Sequence, residues 1–287
     1  MEESAQWIID SIANDVNSVH VASRLFFVLY SSLMPLRMIA IANQKGGAGK
    51  TSTALNLGAA LAELGAQVLL VDLDPQCALT ASCNLDPYAV NRSTYSILTR
   101  DNVSVVSCVR NVARNLHILP GSVDLAAAEV MLTSAPNAPF RLRDAFARSR
   151  APLDYVLFDT PPSLAILTVN ALVAAQELLI PVQCQYLSMR GVRALLETVW
   201  LIHKNMNPRL DLLGVLATMY REHSDHSRQV VAELRHVFED KVFEMLIPDD
   251  DAVAEAPASK KSVLAYQPNS EAASAFRQLA EVIHHER

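Results

Sequence analysis

Residues 44–51 read Gln-Lys-Gly-Gly-Ala-Gly-Lys-Thr, between an apolar run from Met38 to Ala42 and an amphipathic stretch from Thr51 to Leu64. The small residues Gly46, Gly47, Ala48 and Gly49 let the backbone curl until successive N–H groups converge, which makes a nest for an anion. A helix beginning near Gly49 aims its positive dipole end at the same point. The spacing therefore predicts strand, phosphate loop and helix in that order, the context the pattern needs. Lys50 is placed to reach β- and γ-phosphates, and the Thr51 hydroxyl to ligate Mg²⁺, with Ser52 next in the cradle. The bland alternative is a tight glycine turn with two solvated lysines, Lys45 and Lys50. It leaves the order of strand, loop and helix unexplained.

Further along, apolar runs alternate with amphipathic ones. Strands are predicted at Gln67 to Val71, Leu116 to Leu119, Tyr155 to Phe158, Leu178 to Val182, Leu212 to Ala217 and Val242 to Ile247. Helical patterns fall at Ser188 to Asn205, Asp225 to Phe238 and Ser270 to His284. Gly65 suits a left-handed cap on the first helix. Continuous apolar strands alternating with amphipathic helices imply an α/β fold, a single doubly wound, mostly parallel sheet covered on both faces.

One domain is expected, with an extension before it. Residues 1–37 read as an extension of unassigned role, helical around Trp7 to Ile12, with Met38 an alternative start. Residues 38–287 read as one domain. The formal net charge of -6 gives no global pull toward nucleic acid or anionic lipid, so any such contact needs a local patch. The apolar run Leu25 to Tyr30 is far shorter than the ~20 residues of a spanning helix. The four cysteines, Cys77, Cys83, Cys108 and Cys184, show neither a CxxC pair nor metal-ligand spacing. Reduced thiols and a cytoplasmic location are the expectation.

Three carboxylates stand at strand ends. Asp72 and Asp74 follow the strand Gln67 to Val71, where open α/β sheets bind ligands. Asp159 ends Tyr155-Val156-Leu157-Phe158 and precedes Thr160-Pro161-Pro162, whose prolines stiffen the loop. Capping carboxylates at strand–loop junctions are the alternative.

The loop lacks the glycine usual at position 44 and carries a second lysine, Lys45. Lys-Gly-Gly-x-Gly-Lys-Thr is the deviant phosphate loop of the ParA/MinD class of ATPases, which the chain resembles. Gln67 to Gln76, Tyr155 to Ala171, Leu179 to Gln185 and Val242 to Pro257 are similar to ParA proteins as well, so the resemblance spans residues 38–287. It implies a P-loop NTPase sheet of the SIMIBI, ParA-like branch, binding ATP and Mg²⁺. It further implies that Asp74 positions the attacking water, that Asp72 helps organise Mg²⁺ and that Asp159 holds it. Lys45 is implied to cross a dimer interface onto the partner's phosphates, making an ATP-dependent homodimer. Met219, Pro248 and Asp249 are implied to flank adenine, although Met219 reads equally as core at a strand end.

The chain departs from the relatives' pattern at Gln185, Met189 and Arg190, and at Pro248-Asp249-Asp250-Asp251, where relatives carry Arg-Asn. The acidic replacement removes positive charge near the nucleotide or dimer rim.

Partition relatives hold DNA nonspecifically in the ATP state through basic residues on late helices, a salt-sensitive contact. Residues 190–236 carry seven Lys/Arg against five Asp/Glu, a local +2. Arg193, Arg228, Arg235, Lys260 and Lys261 are the candidates, with ordinary solvated helix faces as the alternative. The resemblance thus implies a DNA-partitioning or cargo-positioning ATPase with a ParB-like activator, nucleoid-associated if it binds DNA. Residues 1–37 leave no room for a helix-turn-helix domain, which places it with the short chromosomal-type ParA proteins. A MinD-type membrane-cycling regulator would need a basic amphipathic tail. Phe276 to Arg287 has only Arg277 and Arg287 as fixed cations and reads as a helix packed on its own sheet. An electron-transfer ATPase resembling the nitrogenase iron protein would need cluster-bridging cysteines, for which Cys108 and Cys184 are the individual candidates.

Overall fold

The computed structural model describes residues 35–149, 151–184 and 188–285. The helix expected around Trp7 to Ile12 lies outside them. The strands are β1 (Arg37–Ile41), β2 (Val68–Asp72), β3 (Arg110–Ala113), β4 (Leu116–Leu119), β5 (Tyr155–Asp159), β6 (Glu177–Gln183) and β7 (Asp211–Thr218). The helices that matter for the site are α1 (Lys50–Glu63), α2 (Ala78–Ser82), α8 (Ser188–Asn205), α9 (Asp225–Phe238) and α12 (Glu271–His285). Between them lie α3 (Thr94–Thr99), α4 (Val105–Cys108), α5 (Leu125–Leu132), α6 (Arg141–Ala147), α7 (Ile166–Ala174), α10 (Asp251–Glu255) and α11 (Val263–Tyr266).

One seven-stranded sheet has the order β3-β4-β2-β5-β1-β6-β7. Every pairing is parallel except β3 with β4. The expected parallel sheet is therefore present, with an antiparallel edge at β3 that the sequence reading did not foresee. Every residue of β2 and β5 is buried, as continuous apolar runs in a sheet covered on both faces require. β1 sits between β5 and β6 while β2 lies beyond β5, so the chain reverses its direction of travel across the sheet at β1. That switch point opens a crevice at the carboxyl ends of the strands.

α1 lies close on the sheet because of Gly58, where a Cβ would come within 2.6 Å of Leu70 Cδ2. Its end matches the expectation: Leu64 closes the helix and Gly65 turns left-handed at φ 95°. α12 buries Phe276, Leu279 and Ile283 in the same core as Leu57 and Leu61 of α1. The apolar face of the tail helix is thus covered by α1 and the chain's own core. Arg37 ties β1 to β6, its Nε and Nη2 donating to the two oxygens of Glu177 at 2.8 and 2.6 Å.

The strand expected from Val242 to Ile247 does not form. Only isolated bridges join Val242 to Val215 and Pro248 to Tyr220. The segment gives up alternation to bury Phe243 over Gly214, where a Cβ would meet the Phe243 ring at 2.5 Å.

Candidate active site

The loop after β1 arches from Ala42 to Gly49, and α1 starts at Lys50. Gly47 and Gly49 adopt left-handed backbone at φ 72° and 86°. A side chain would be strained at either. No side chain caps α1 and its first turn holds no acid, so no cap of its own competes with an incoming anion for its leading N–H groups. The Lys50 side chain curls over the arch, its Nζ donating to the Lys45 carbonyl at 3.2 Å. Burial lowers its pKa, partly opposed by the nearby Asp159 and Asp74 charges.

Three polar side chains fasten the arch and the end of β1 that feeds it: Asn43 from within the loop, Thr160 from just past β5 and Thr218 from the end of β7. Asn43 donates to Pro181 O at 2.6 Å and accepts from Lys45 N at 3.0 Å. Thr160 donates to Ile41 O at 2.9 Å, and Thr218 to Ala48 O at 3.0 Å. None of the three was expected from the sequence. The only available signal was a small polar residue just past, or at the end of, an apolar strand.

Asp72 and Asp159 are the last residues of β2 and β5 and stand opposite each other in the pairing register, with Ile41 of β1 on Asp159's other side. Their environments differ. Asp72 Oδ1 accepts from Asp74 N at 3.1 Å, while Oδ2 accepts from Thr80 N at 2.9 Å and Thr80 Oγ1 at 2.5 Å. Burial pushes its carboxyl up to about 6 despite those bonds. Asp159 is fully buried, and neither of its oxygens has a hydrogen-bond partner of ordinary geometry. Burial and the Asp72 charge raise it well above the usual carboxylate range, against a smaller pull from Thr51 and Lys50. Asp74, half-exposed, uses one oxygen to accept from Gln76 N at 2.8 Å.

A buried carboxylate with both oxygens unpartnered is costly unless a cation completes it. Asp159 beside the Thr51 end of α1 supplies the hard oxygen donors that Mg²⁺ takes. Among the described residues no cluster of three His, Cys, Asp or Glu could hold a metal unaided. Mg²⁺ usually keeps several waters and takes substrate phosphate oxygens among its ligands.

On the other side of the loop a cavity of about 110 Å³ is lined by Gly49, Thr53, Met219, Pro248, Asp249 and Phe276, with Ser52 at its wall. The expected residues thus meet there. Met219 is half-buried with φ 52° and lines the cavity instead of entering the core. Tyr220 N donates to Ile247 O and Asp249 N to Tyr220 O, both at 2.9 Å, which pins the two segments together. Arg221 Nε pairs with Asp249 at 2.5 Å, so a cation does stand at the acidic stretch, supplied from β7's end.

A family model described as an AAA domain matches residues 36–212. The chromosome partitioning protein ParA of Caulobacter vibrioides is 40% identical over 259 residues, covering 89% of this chain and 97% of that one. The chain belongs to the ParA/MinD class of ATPases. It stands near the Soj-like members: the chromosome-partitioning ATPase Soj of Thermus thermophilus is 43% identical over 248 residues, 86% of this chain and 95% of that protein. Among solved structures, cobyrinic acid a,c-diamide synthase from Mycobacterium smegmatis, with bound ADP and magnesium, superposes with a TM-score of 0.77. That enzyme is 36% identical, over 88% of this chain and 95% of its own.

The basic residues that partition members of this class would use are not gathered in one patch here. Arg193 lies on α8 and pairs with Glu197 at 3.3 Å; Arg228 lies on α9 and pairs with Asp225 at 2.5 Å, with Arg235 exposed two turns further on. Those helices follow β6 and β7 at one edge of the sheet. Lys260 and Lys261 instead line a cleft with Arg114, beside the β3–β4 edge, where Lys260 Nζ reaches Ala81 O at 3.5 Å. The departures at Gln185, Met189 and Arg190 fall where side chains are not described. All four cysteines are free and buried, Cys108 and Cys184 included. Among the described residues no helix is long and apolar enough to cross a membrane.

Proposed function

We propose that residues 38–287 form a MgATP-driven dimerisation switch that partitions DNA, with residues 1–37 as an extension. The observation that carries this reading is Asp159: a fully buried carboxylate with two unpartnered oxygens, set behind the N-terminus of α1 and the glycine arch. The N–H groups of residues 46–51 cradle the polyphosphate, with Ser52 alongside, and the Lys50 ammonium balances charge on the transferring phosphoryl group. Thr51 and Asp159 hold Mg²⁺, which when bound neutralises phosphate charge and orients the chain of oxygens. Asp72, its oxygens engaged by Thr80 and Asp74, organises that cation by fixing the 73–80 segment beside it. Asp74 orients the attacking water. Adenine sits against Met219, Pro248 and Asp249.

Lys45, half-buried at the loop's start, reports the nucleotide to a second subunit by reaching its phosphates, so ATP favours the dimer. In that state Arg193, Arg228 and Arg235, with Lys260 and Lys261, hold DNA nonspecifically. Exposed ion pairs such as Arg193–Glu197 are worth about 0–1 kcal/mol, so the arginines exchange partners readily. A ParB-like activator speeds slow hydrolysis, and the protein works in the cytoplasm on the nucleoid. The relatives' names and the local +2 charge support this reading.

Calorimetry with MgATP, followed by hydrolysis rates with and without DNA and a ParB-like partner, tests it. Uptake of nucleotide and ATP-dependent, salt-sensitive DNA retention are expected. Folded protein that takes up no MgATP refutes the reading, whereas DNA retention blind to ATP and salt refutes only its DNA arm.

A further inference from the structure

The Ala48–Gly49 peptide is held from outside the loop. Thr218, the buried last residue of β7, donates from Oγ1 to the Ala48 carbonyl at 3.0 Å across 170 residues of sequence. In a planar trans peptide the C=O and the following N–H point in opposite directions. Fixing the Ala48 carbonyl on Thr218 therefore turns the Gly49 N–H away from β7 and into the arch. Gly49 itself is left-handed at φ 86°, and a Cβ there would touch Thr218 Cγ2 at 3.5 Å. Thr218 is in turn rigidly placed. Its carbonyl accepts from Cys184 N at 2.8 Å, and Cys184 O accepts from Ser227 Oγ at 3.3 Å. One chain of hydrogen bonds thus joins the phosphate loop, β7, β6 and the first turn of α9.

We propose that Thr218 is a positioning residue for nucleotide binding: its hydroxyl sets the aim of the Gly49 N–H at the polyphosphate. It acts through that amide, without itself touching the reacting atoms. The proposal rests on the MgATP reading above. A valine at 218 keeps the shape of the side chain but removes the donor, leaving the Ala48 carbonyl unpaired and its peptide free to rotate. A serine keeps the donor.

The test compares Thr218→Val and Thr218→Ser with the wild-type chain, by calorimetry with MgADP and MgATP and by steady-state hydrolysis. Loss of one well-aimed amide predicts nucleotide affinity about tenfold weaker in the valine variant, KM raised by a similar factor and kcat within about threefold. The serine variant should bind within about twofold of wild type, and circular dichroism should be unchanged in both. A valine variant that binds as tightly as wild type overturns the proposal. So does a serine variant as weak as valine, since packing and not the donor would then matter. Should the valine variant fail to fold, Thr218→Ala takes its place with the same outcomes. Wild-type protein that takes up no nucleotide overturns the MgATP reading and this one with it; tight wild-type binding with an equally tight valine variant overturns this one alone.

Discussion

Asp159→Asn should make the nucleotide-free protein more stable and the nucleotide-bound protein less so. The wild-type side chain is fully buried, its two oxygens lack partners, and Asp72 and Asp74 add like charge nearby. Asparagine keeps the shape and removes the charge. Its amide stays unpaired as well, but it has no ionisable group to desolvate beside Asp72, and that relief is worth about 1–3 kcal/mol. At 2–4 °C per kcal/mol for a domain of this size, the melting temperature in EDTA should rise by roughly 2–12 °C. Ligand has the opposite effect. At 100 times its Kd, MgATP stabilises the wild type by about 2.7 kcal/mol, whereas a tenfold weaker site at the same concentration yields about 1.4. The Mg²⁺- and ATP-dependent increment should therefore fall to about half. Differential scanning calorimetry in EDTA, then with Mg²⁺ and ATP, measures both changes. A variant that melts below wild type in EDTA, or keeps the whole increment, refutes the assignment of Asp159 as the carboxylate that awaits a cation.

Lys45→Gln should abolish ATP-driven dimers while leaving monomer nucleotide binding largely intact; light scattering on a sizing column reads this, and undiminished dimerisation contradicts the trans role. Gly121→Ala should cost about 1–3 kcal/mol, or roughly 2–12 °C. A Cβ there would stand 3.1 Å from Asp72 Cγ and 3.2 Å from Cys77 Sγ, and Asp72 cannot yield without releasing Thr80; a melting point equal to wild type would show that the segment gives way freely. Burial pushes the Cys77 and Cys83 thiols up to about 12 and Cys184 up to about 11. Since the thiolate is the reactive form, Ellman's reagent at pH 8 should label these three slowly in the folded chain and all four cysteines promptly in guanidinium; fast native labelling of Cys77 would contradict its burial.

Much of this molecule is written in short-range signals. The glycine loop, the left-handed Gly65, and helices α8 and α9 with the predicted bounds all follow from periodicity and turn chemistry within one window of sequence. The stretch Val242 to Ile247 misled because apolar content alone does not say whether a segment pairs or folds inward. The segment hydrogen-bonds β7 only at intervals, Phe243 N to Val215 O and Ile247 N to Ala217 O, and Gly214, nearly thirty positions earlier, leaves the room the Phe243 ring takes. β3 was missed for a related reason: three of its four residues, Arg110, Asn111 and Ala113, are exposed, so an edge strand shows no apolar run.

By itself the sequence determined the order of strand, phosphate loop and helix, and the class of ligand such a loop takes, because neighbouring residues set backbone curvature and dipole direction. Tertiary structure decided which groups complete it. Sheet order brings Thr218 onto the loop, Thr160 onto the end of β1 and Pro181 within reach of Asn43, and sets Asp72 beside Asp159. It also carries Lys260 and Lys261 to the edge opposite Arg193 and Arg228, and gathers Met219, Pro248 and Asp249 around one cavity. These are contacts between strands far apart in the chain, and their partners are chosen by how the whole sheet packs, which no local pattern records.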